Sequence, residues 1–204
     1  MMTNAPGNRY SKITITVLLL LFSAPFLLSW GLLHYTKVKQ EGGGASHGEL
    51  ILPPRLLENA GLFDPATGIK DQKLYGKWSL MYLHKGGDCS RECAQNLYRM
   101  RQLWLATGKF AHRVQRVMII FGPNTAVLSA RQLKQYRGQL LLLGDIQDNL
   151  LDTFKLSDDD QPLNAGRLYL VDPLGNLMMS YPPATDPRGI IKDLKRLLRY
   201  SRIG

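Results

Sequence analysis

The chain has 204 residues, of which 26 are Lys or Arg, 16 are Asp or Glu and only two are Cys, for a net charge of +10. Such a basic balance raises nucleic acid as a partner. No stacking aromatic cluster or recognition motif accompanies the charge, so a nucleic-acid partner is not expected, and anionic lipid or an acidic partner protein suits the charge better.

The first element is an apolar run at residues 13–33, "ITITVLLLLFSAPFLLSWGLL", with no charge over 21 positions. A bilayer core needs about 20 apolar residues to be crossed as a helix, and a buried core helix would show a polar face that this run lacks. Pro25 and Gly31 are tolerated in spanning helices. A cleaved signal peptide has an apolar region of only about 7–15 residues before a small-residue cleavage site. This run is longer and passes into Trp30, Leu32, Leu33 and Tyr35, which suit an interfacial anchor. An uncleaved transmembrane anchor over 13–35 is expected, with 1–12 as a cytoplasmic N-terminus. The flanking charges, Arg9 and Lys12 against Lys37 and Lys39, balance and set no orientation. Residues 36–48, with "QEGGGASHG", read as a flexible linker, and His47 within it is expected to be inert.

Beyond the linker, residues 49–204 form one domain with room for a real core. From Ala45 onward there are 22 Lys and Arg against 15 Asp and Glu, a net +7. Residues 49–76 read as an irregular lead-in with a small hairpin. "KWSLMYLH" (77–84) is a strand, and "CAQNLYRMRQLWLATG" is a helix with Leu97, Met100, Leu103 and Trp104 at helical spacing and Gly108 as its stop. "RVMIIF" (116–121) is a second strand, 129–137 a short basic helix, "LLLL" (140–143) a third strand and 145–154 a helix with Asp145 near its start. "RLYLV" and "LMMSY" flank "DPLG", a turn that makes them a hairpin. "DPRGIIKDLKRLLRYSR" closes the chain as an amphipathic helix. This order predicts an α/β fold, and the uninterrupted apolar strands suit sheet positions covered on both faces.

Cys89 and Cys93 fall in the first strand-to-helix loop, where open α/β sheets place their sites. Four residues apart on a helix means adjacent turns of one face, so the two sulfurs can meet. A disulfide closing so short a loop removes little chain entropy, which weakens a purely structural role. Asp88 or Ser90 can cap the helix, and unpaired N–H groups at its start favour a reactive thiolate. The spacing leaves a redox couple, a metal clasp and a structural pair open. For a metal, two thiolates suit Cu(I) or zinc. Of the four histidines only His84, at the end of the first strand, stands near the pair in sequence, so a closed four-ligand zinc site is not expected. His112 reads as a surface residue.

An apolar anchor, a Gly-Lys-led strand "GKWSLMYLH", a C-x-x-x-C pair opening a helix and the hairpin "LYLVDPLGNLMMSY" together resemble the Sco/SenC family over residues 49–200. The resemblance implies a thioredoxin-like central sheet with flanking helices, tethered by one transmembrane helix. It implies a role in cytochrome c oxidase biogenesis, by passing copper or by reducing cysteines that will hold it. The implied place is the periplasmic side of an inner membrane, with an oxidase subunit or its assembly factors as partners. Cys89 and Cys93 carry over as the functional cysteines of thiol–disulfide exchange, with Cys89 the attacking thiol. Cu(I) at Cys89 and Cys93, with His84 or a methionine as third ligand, is the alternative, and a non-catalytic assembly factor a third. No cofactor is required by the redox reading.

The chain departs from that family where Ser90 and Ala94 stand in place of the prolines after each cysteine. The stretch "SDDDQPLNAGR" also lacks the histidine that completes the family's copper site. Pro162, in that stretch, is the candidate for a cis-proline facing the cysteines. Asp158, Asp159 and Asp160 read as a solvated turn rather than a cation site. Lys192, Lys195, Arg196, Arg199 and Arg202 line the polar side of the last helix, first read as its wet face. Attraction to anionic lipid, about 1 kcal/mol per cation near a membrane surface, is the second reading.

Overall fold

The computed structural model describes residues 9–37, 46–57, 61–63, 74–86, 88–122, 138–145 and 150–204. The chain divides at Ala45 into two units. The first contains helix α1 (Arg9–Lys37). Within it, Ile13–Gly31 is long and apolar enough to cross a membrane, and side chains such as Leu21, Phe22 and Phe26 are exposed.

The second unit is built on strand β2 (Trp78–Lys85), where seven consecutive residues are buried. A strand buried on both faces has no polar alternation, and β2 is central. It pairs in parallel with β3 (Val114–Gly122) and antiparallel with β5 (Leu168–Val171). The full sheet has the order β1-β6-β5-β2-β3-β4, with β1 (Glu49–Leu56) at one edge, β4 (Leu140–Asp145) parallel to β3 and β6 (Asn176–Tyr181) antiparallel to β5. Helix α2 (Arg91–Ala106) and a 3-10 turn (Gly108–Arg113) connect the parallel strands β2 and β3. Helix α3 (Leu150–Phe154) precedes β5, and α4 (Pro187–Tyr200) ends the fold.

Two apolar layers sandwich the sheet. One joins Leu80, Tyr82, Met118 and Met179 to Cys93, Met100 and Leu103 of α2 and Ile190, Leu194 and Leu198 of α4. The opposite layer joins Met81, Ile119, Leu142 and Tyr169 to Leu150 and Phe154 of α3. Burying leucine-sized side chains contributes roughly 1.5–3 kcal/mol each, so these layers hold the β2–α2 junction in place.

The hairpin forms as expected. The Asp172 carbonyl accepts from Gly175 N, and Asp172 Oδ1 accepts from both Leu174 N and Asn176 N. Gly175 has φ +90°, a conformation that favours glycine. Helix α4 starts with Asp186 accepting from Arg188 N and Pro187 in its first turn.

The lead-in differs from expectation. Residues Glu49–Leu56 form strand β1 at the sheet edge, paired with β6 through Glu49↔Ser180 and Leu50↔Met179. The register shifts before pairing resumes at Arg55↔Leu177. Prolines are confined to such edges because they cannot donate to a ladder, and Pro53, whose peptide bond is cis, and Pro54 occupy the irregular stretch. The expected basic helix at 129–137 lies outside the described residues. The helix expected over 145–154 is seen from Leu150, Asp145 ends β4, and 146–149 also lie outside.

Candidate redox site

The C-terminal ends of β2 and β3 carry the cysteine loop. Gly86 N donates to Phe121 O at 2.6 Å, and a Cβ at Gly86 would stand 3.1 Å from that oxygen, so the loop leaves the sheet at a tighter approach than a side chain ordinarily makes. Ser90 is the cap of α2: its Oγ accepts from Cys93 N at 3.2 Å. The first turn of α2 therefore uses the Cys93 amide for capping, and Cys93 lies at its buried side.

Cys89 and Cys93 are joined in a disulfide with a Cα–Cα distance of 5.3 Å. The two sulfurs meet as the spacing suggested, but their surroundings differ. Cys93 is fully buried among Tyr82, Met100 and Leu103, whereas Cys89 is half-buried at the rim of that layer. Cys89 is therefore the more exposed residue of the pair.

Two polar residues that sequence reasoning missed, Tyr82 and Asn96, are buried near Cys93. Asn96, one turn after Cys93, is buried and hydrogen-bonds Tyr82. Burial pushes the Tyr82 hydroxyl above its ordinary pKa; the Asn96 bond opposes the shift and the neighbouring Glu92 carboxylate adds to it. Glu92 reaches the loop before β5: a Cβ at Gly166, where φ is +59°, would stand 2.4 Å from Glu92 Oε1. The available signal was Asn96 itself, a polar residue at a helix position spaced for the core.

His84 is buried at the end of β2, and its ring stacks on Tyr82 with centroids 6.3 Å apart. By strand alternation it shares the sheet face of Leu80 and Tyr82, the face on which α2 lies. Among the described residues, no three His, Cys, Asp or Glu side chains gather as a metal site. Two soft sulfurs suit Cu(I), yet among the described residues no His, Asp or Glu joins them, so the residues do not fit a copper centre with His84 as third ligand.

Asp160 is structural. Its carboxylate accepts from Leu156 N and pairs with Arg167 at 2.5 Å. Pro162 is buried, but the one cis peptide among the described residues precedes Pro53, not Pro162. A cleft of about 310 Å³ lies beside this loop, lined by Lys85, Lys155, Asp160 and Pro162. His112 is exposed, as expected. His47 is not inert: its backbone N donates to Asp193 at 2.7 Å and its Nδ1 stands 3.1 Å from the same carboxylate.

A central sheet with parallel β2 and β3, an antiparallel β5–β6 hairpin and a cysteine pair at the start of α2 defines a thioredoxin-like protein. Residues 78–201 match the family model described as "Transmembrane-like, thioredoxin-like, C-terminal domain", and the chain belongs to that family. No curated protein matches the sequence. The fold is that of Sco structures. Arabidopsis thaliana ScoI with copper bound aligns at TM-score 0.54 and 16% identity, covering 76% of this chain and 100% of that one. Yeast Sco1 with copper bound aligns at 0.52 and 22%, covering 78% and 96%. BsSco, described as having a disulfide switch and as a member of the Sco family of cytochrome c oxidase assembly proteins, aligns at 0.51 and 17%, covering 75% and 100%. The expected resemblance to Sco/SenC is thus borne out at the level of the fold.

Proposed function

We propose that this chain is a membrane-anchored, Sco/SenC-type protein that assists cytochrome c oxidase biogenesis by thiol–disulfide exchange at Cys89 and Cys93. The observation that carries the reading is the asymmetric pair, one sulfur at the rim and its bonded partner in the core. In the dithiol form, the Cys89 thiolate attacks a partner disulfide, forming a mixed disulfide and releasing one partner thiolate. Cys93 then gives up its proton and attacks the Cys89 sulfur, which releases the second partner thiolate. The partner gains two electrons and the chain leaves as the Cys89–Cys93 disulfide, to be reduced again by an external dithiol. Oxidase subunits or their assembly factors are the partners, and the domain works on the periplasmic side of the inner membrane.

Trapping tests the exchange. Cys93→Ala keeps the attacking thiol and removes the resolving one, so it accumulates a mixed disulfide that dithiothreitol releases and that Cys89→Ser never forms. Oxidase assembly supported by the Cys89→Ser/Cys93→Ser chain would show a scaffold instead and end the redox reading. The competing expectation, Cu(I) held by Cys89, Cys93 and His84, has weaker support because only two of the three donors meet. Stoichiometric Cu(I) retention, weakened in His84→Ala, would displace the exchange mechanism.

A further inference from the structure

Helix α4 and the residues after it are rich in exposed cations. From Pro187 to Gly204 the chain has six cations, Arg188, Lys192, Lys195, Arg196, Arg199 and Arg202, against one acid, Asp193. All six cations are exposed and Asp193 is buried. Its carboxylate turns inward, accepting from His47 N, Gly48 N and the Tyr181 hydroxyl, so it does not offset the outer face. Solvated surfaces ordinarily mix both signs; beyond its exposed N-cap Asp186, this one carries only cations.

Large apolar groups stand exposed in the same region. Tyr200 is 77% exposed and Ile203 50%. On edge strand β1, Leu50 is 53% and Leu52 76% exposed. Leu50 pairs with Met179, which lies in the layer that also holds Ile190 and Leu194 of α4, so Leu50 is on the α4 side of the sheet, and Leu52 follows where the register shifts. The start of the domain is there too: a Cβ at Gly189 of α4 would stand 2.6 Å from the His47 ring. In sequence, Ser46 follows only nine positions after Lys37, where the apolar helix ends.

Cations of one sign beside exposed Leu, Ile and Tyr match the chemistry of a bilayer interface, where headgroup phosphates meet Lys and Arg while apolar and aromatic side chains enter the boundary. An acidic protein surface would answer the charge but leave the edge leucines without an apolar counterpart. We propose that the outer face of α4, with the exposed leucines of β1, is a docking surface for the anionic headgroups of a lipid bilayer. This surface does not depend on the cysteine chemistry.

The test uses the full chain reconstituted in phosphatidylcholine vesicles with and without phosphatidylglycerol, read by hydrogen exchange. Docking slows exchange in residues 187–204 and 49–57 only in the anionic vesicles, and high salt removes the effect. Each cation neutralised, as in Lys192→Gln or Lys195→Gln, lowers the docked-to-free ratio by about fivefold. These positions are exposed, and an unchanged melting temperature in detergent verifies that the variants fold. Equal exchange in both vesicles overturns the proposal. Protection that follows protein concentration instead of lipid charge also overturns it, and assigns the face to a second copy.

Discussion

Cys93 and Cys89 are the same residue type in different surroundings, and single substitutions separate them. Cys93→Ser places a hydroxyl among Tyr82, Met100 and Leu103 without an assigned acceptor, and costs about 1–3 kcal/mol. Cys89→Ser, at the rim, costs well under half of that. Urea denaturation of the two variants under reducing conditions measures the difference. Asp193 makes a second residue-scale case. Its buried carboxylate accepts from two backbone amides and the Tyr181 hydroxyl. Asp193→Ala leaves those donors unanswered and lowers stability by about 2–4 kcal/mol, again by urea denaturation. The cysteine spacing was legible because four residues is a property of one helix turn. The asymmetry was not, because burial of Cys93 depends on which face of α2 meets the sheet.

At the scale of elements, α4 ends on a side chain from far earlier in the chain. The Arg113 guanidinium donates to the carbonyls of Leu198, Ser201, Ile203 and Gly204. The last carbonyls of a helix have no partner within it, and this one side chain serves the Leu198 carbonyl together with three carbonyls just past the helix end. Arg113→Ala is expected to cost about 2 kcal/mol and to speed amide exchange selectively in residues 198–204, with α2 unchanged. Elements with strong local patterns, β2, α2, the hairpin and α4, were readable because their apolar periods and turn residues act within a few positions. Strand β1 was not: its two prolines suggest a loop, and only pairing with β6 makes it a strand.

For the whole molecule, buried tyrosines set a limit at high pH. Burial pushes Tyr169 up to about 12 against the pull of the neighbouring Arg167, and it raises Tyr181 further, aided by Asp193. Above about pH 10 the unfolded chain releases these protons while the native state retains them. Stability is therefore fully present below pH 10 and falls as pH rises towards the folded values. The slope is about 1.4 kcal/mol per pH unit for each tyrosine. Urea midpoints at pH 8, 10 and 11 measure the fall, and Tyr169→Phe reduces its slope by one tyrosine's share.

The sequence alone determined the apolar N-terminal helix, the α/β order, the hairpin turn and the meeting of Cys89 with Cys93, because each follows from periodicity or spacing along a short stretch. Tertiary structure alone decided that Cys93 is buried while Cys89 is at the rim, that Asn96 lies against Tyr82, that β1 completes the sheet edge and that His47 joins Asp193. Those outcomes depend on residues as much as 146 positions apart in the chain being brought within hydrogen-bond distance, and local pattern carries no record of which distant groups the packed layers will bring together.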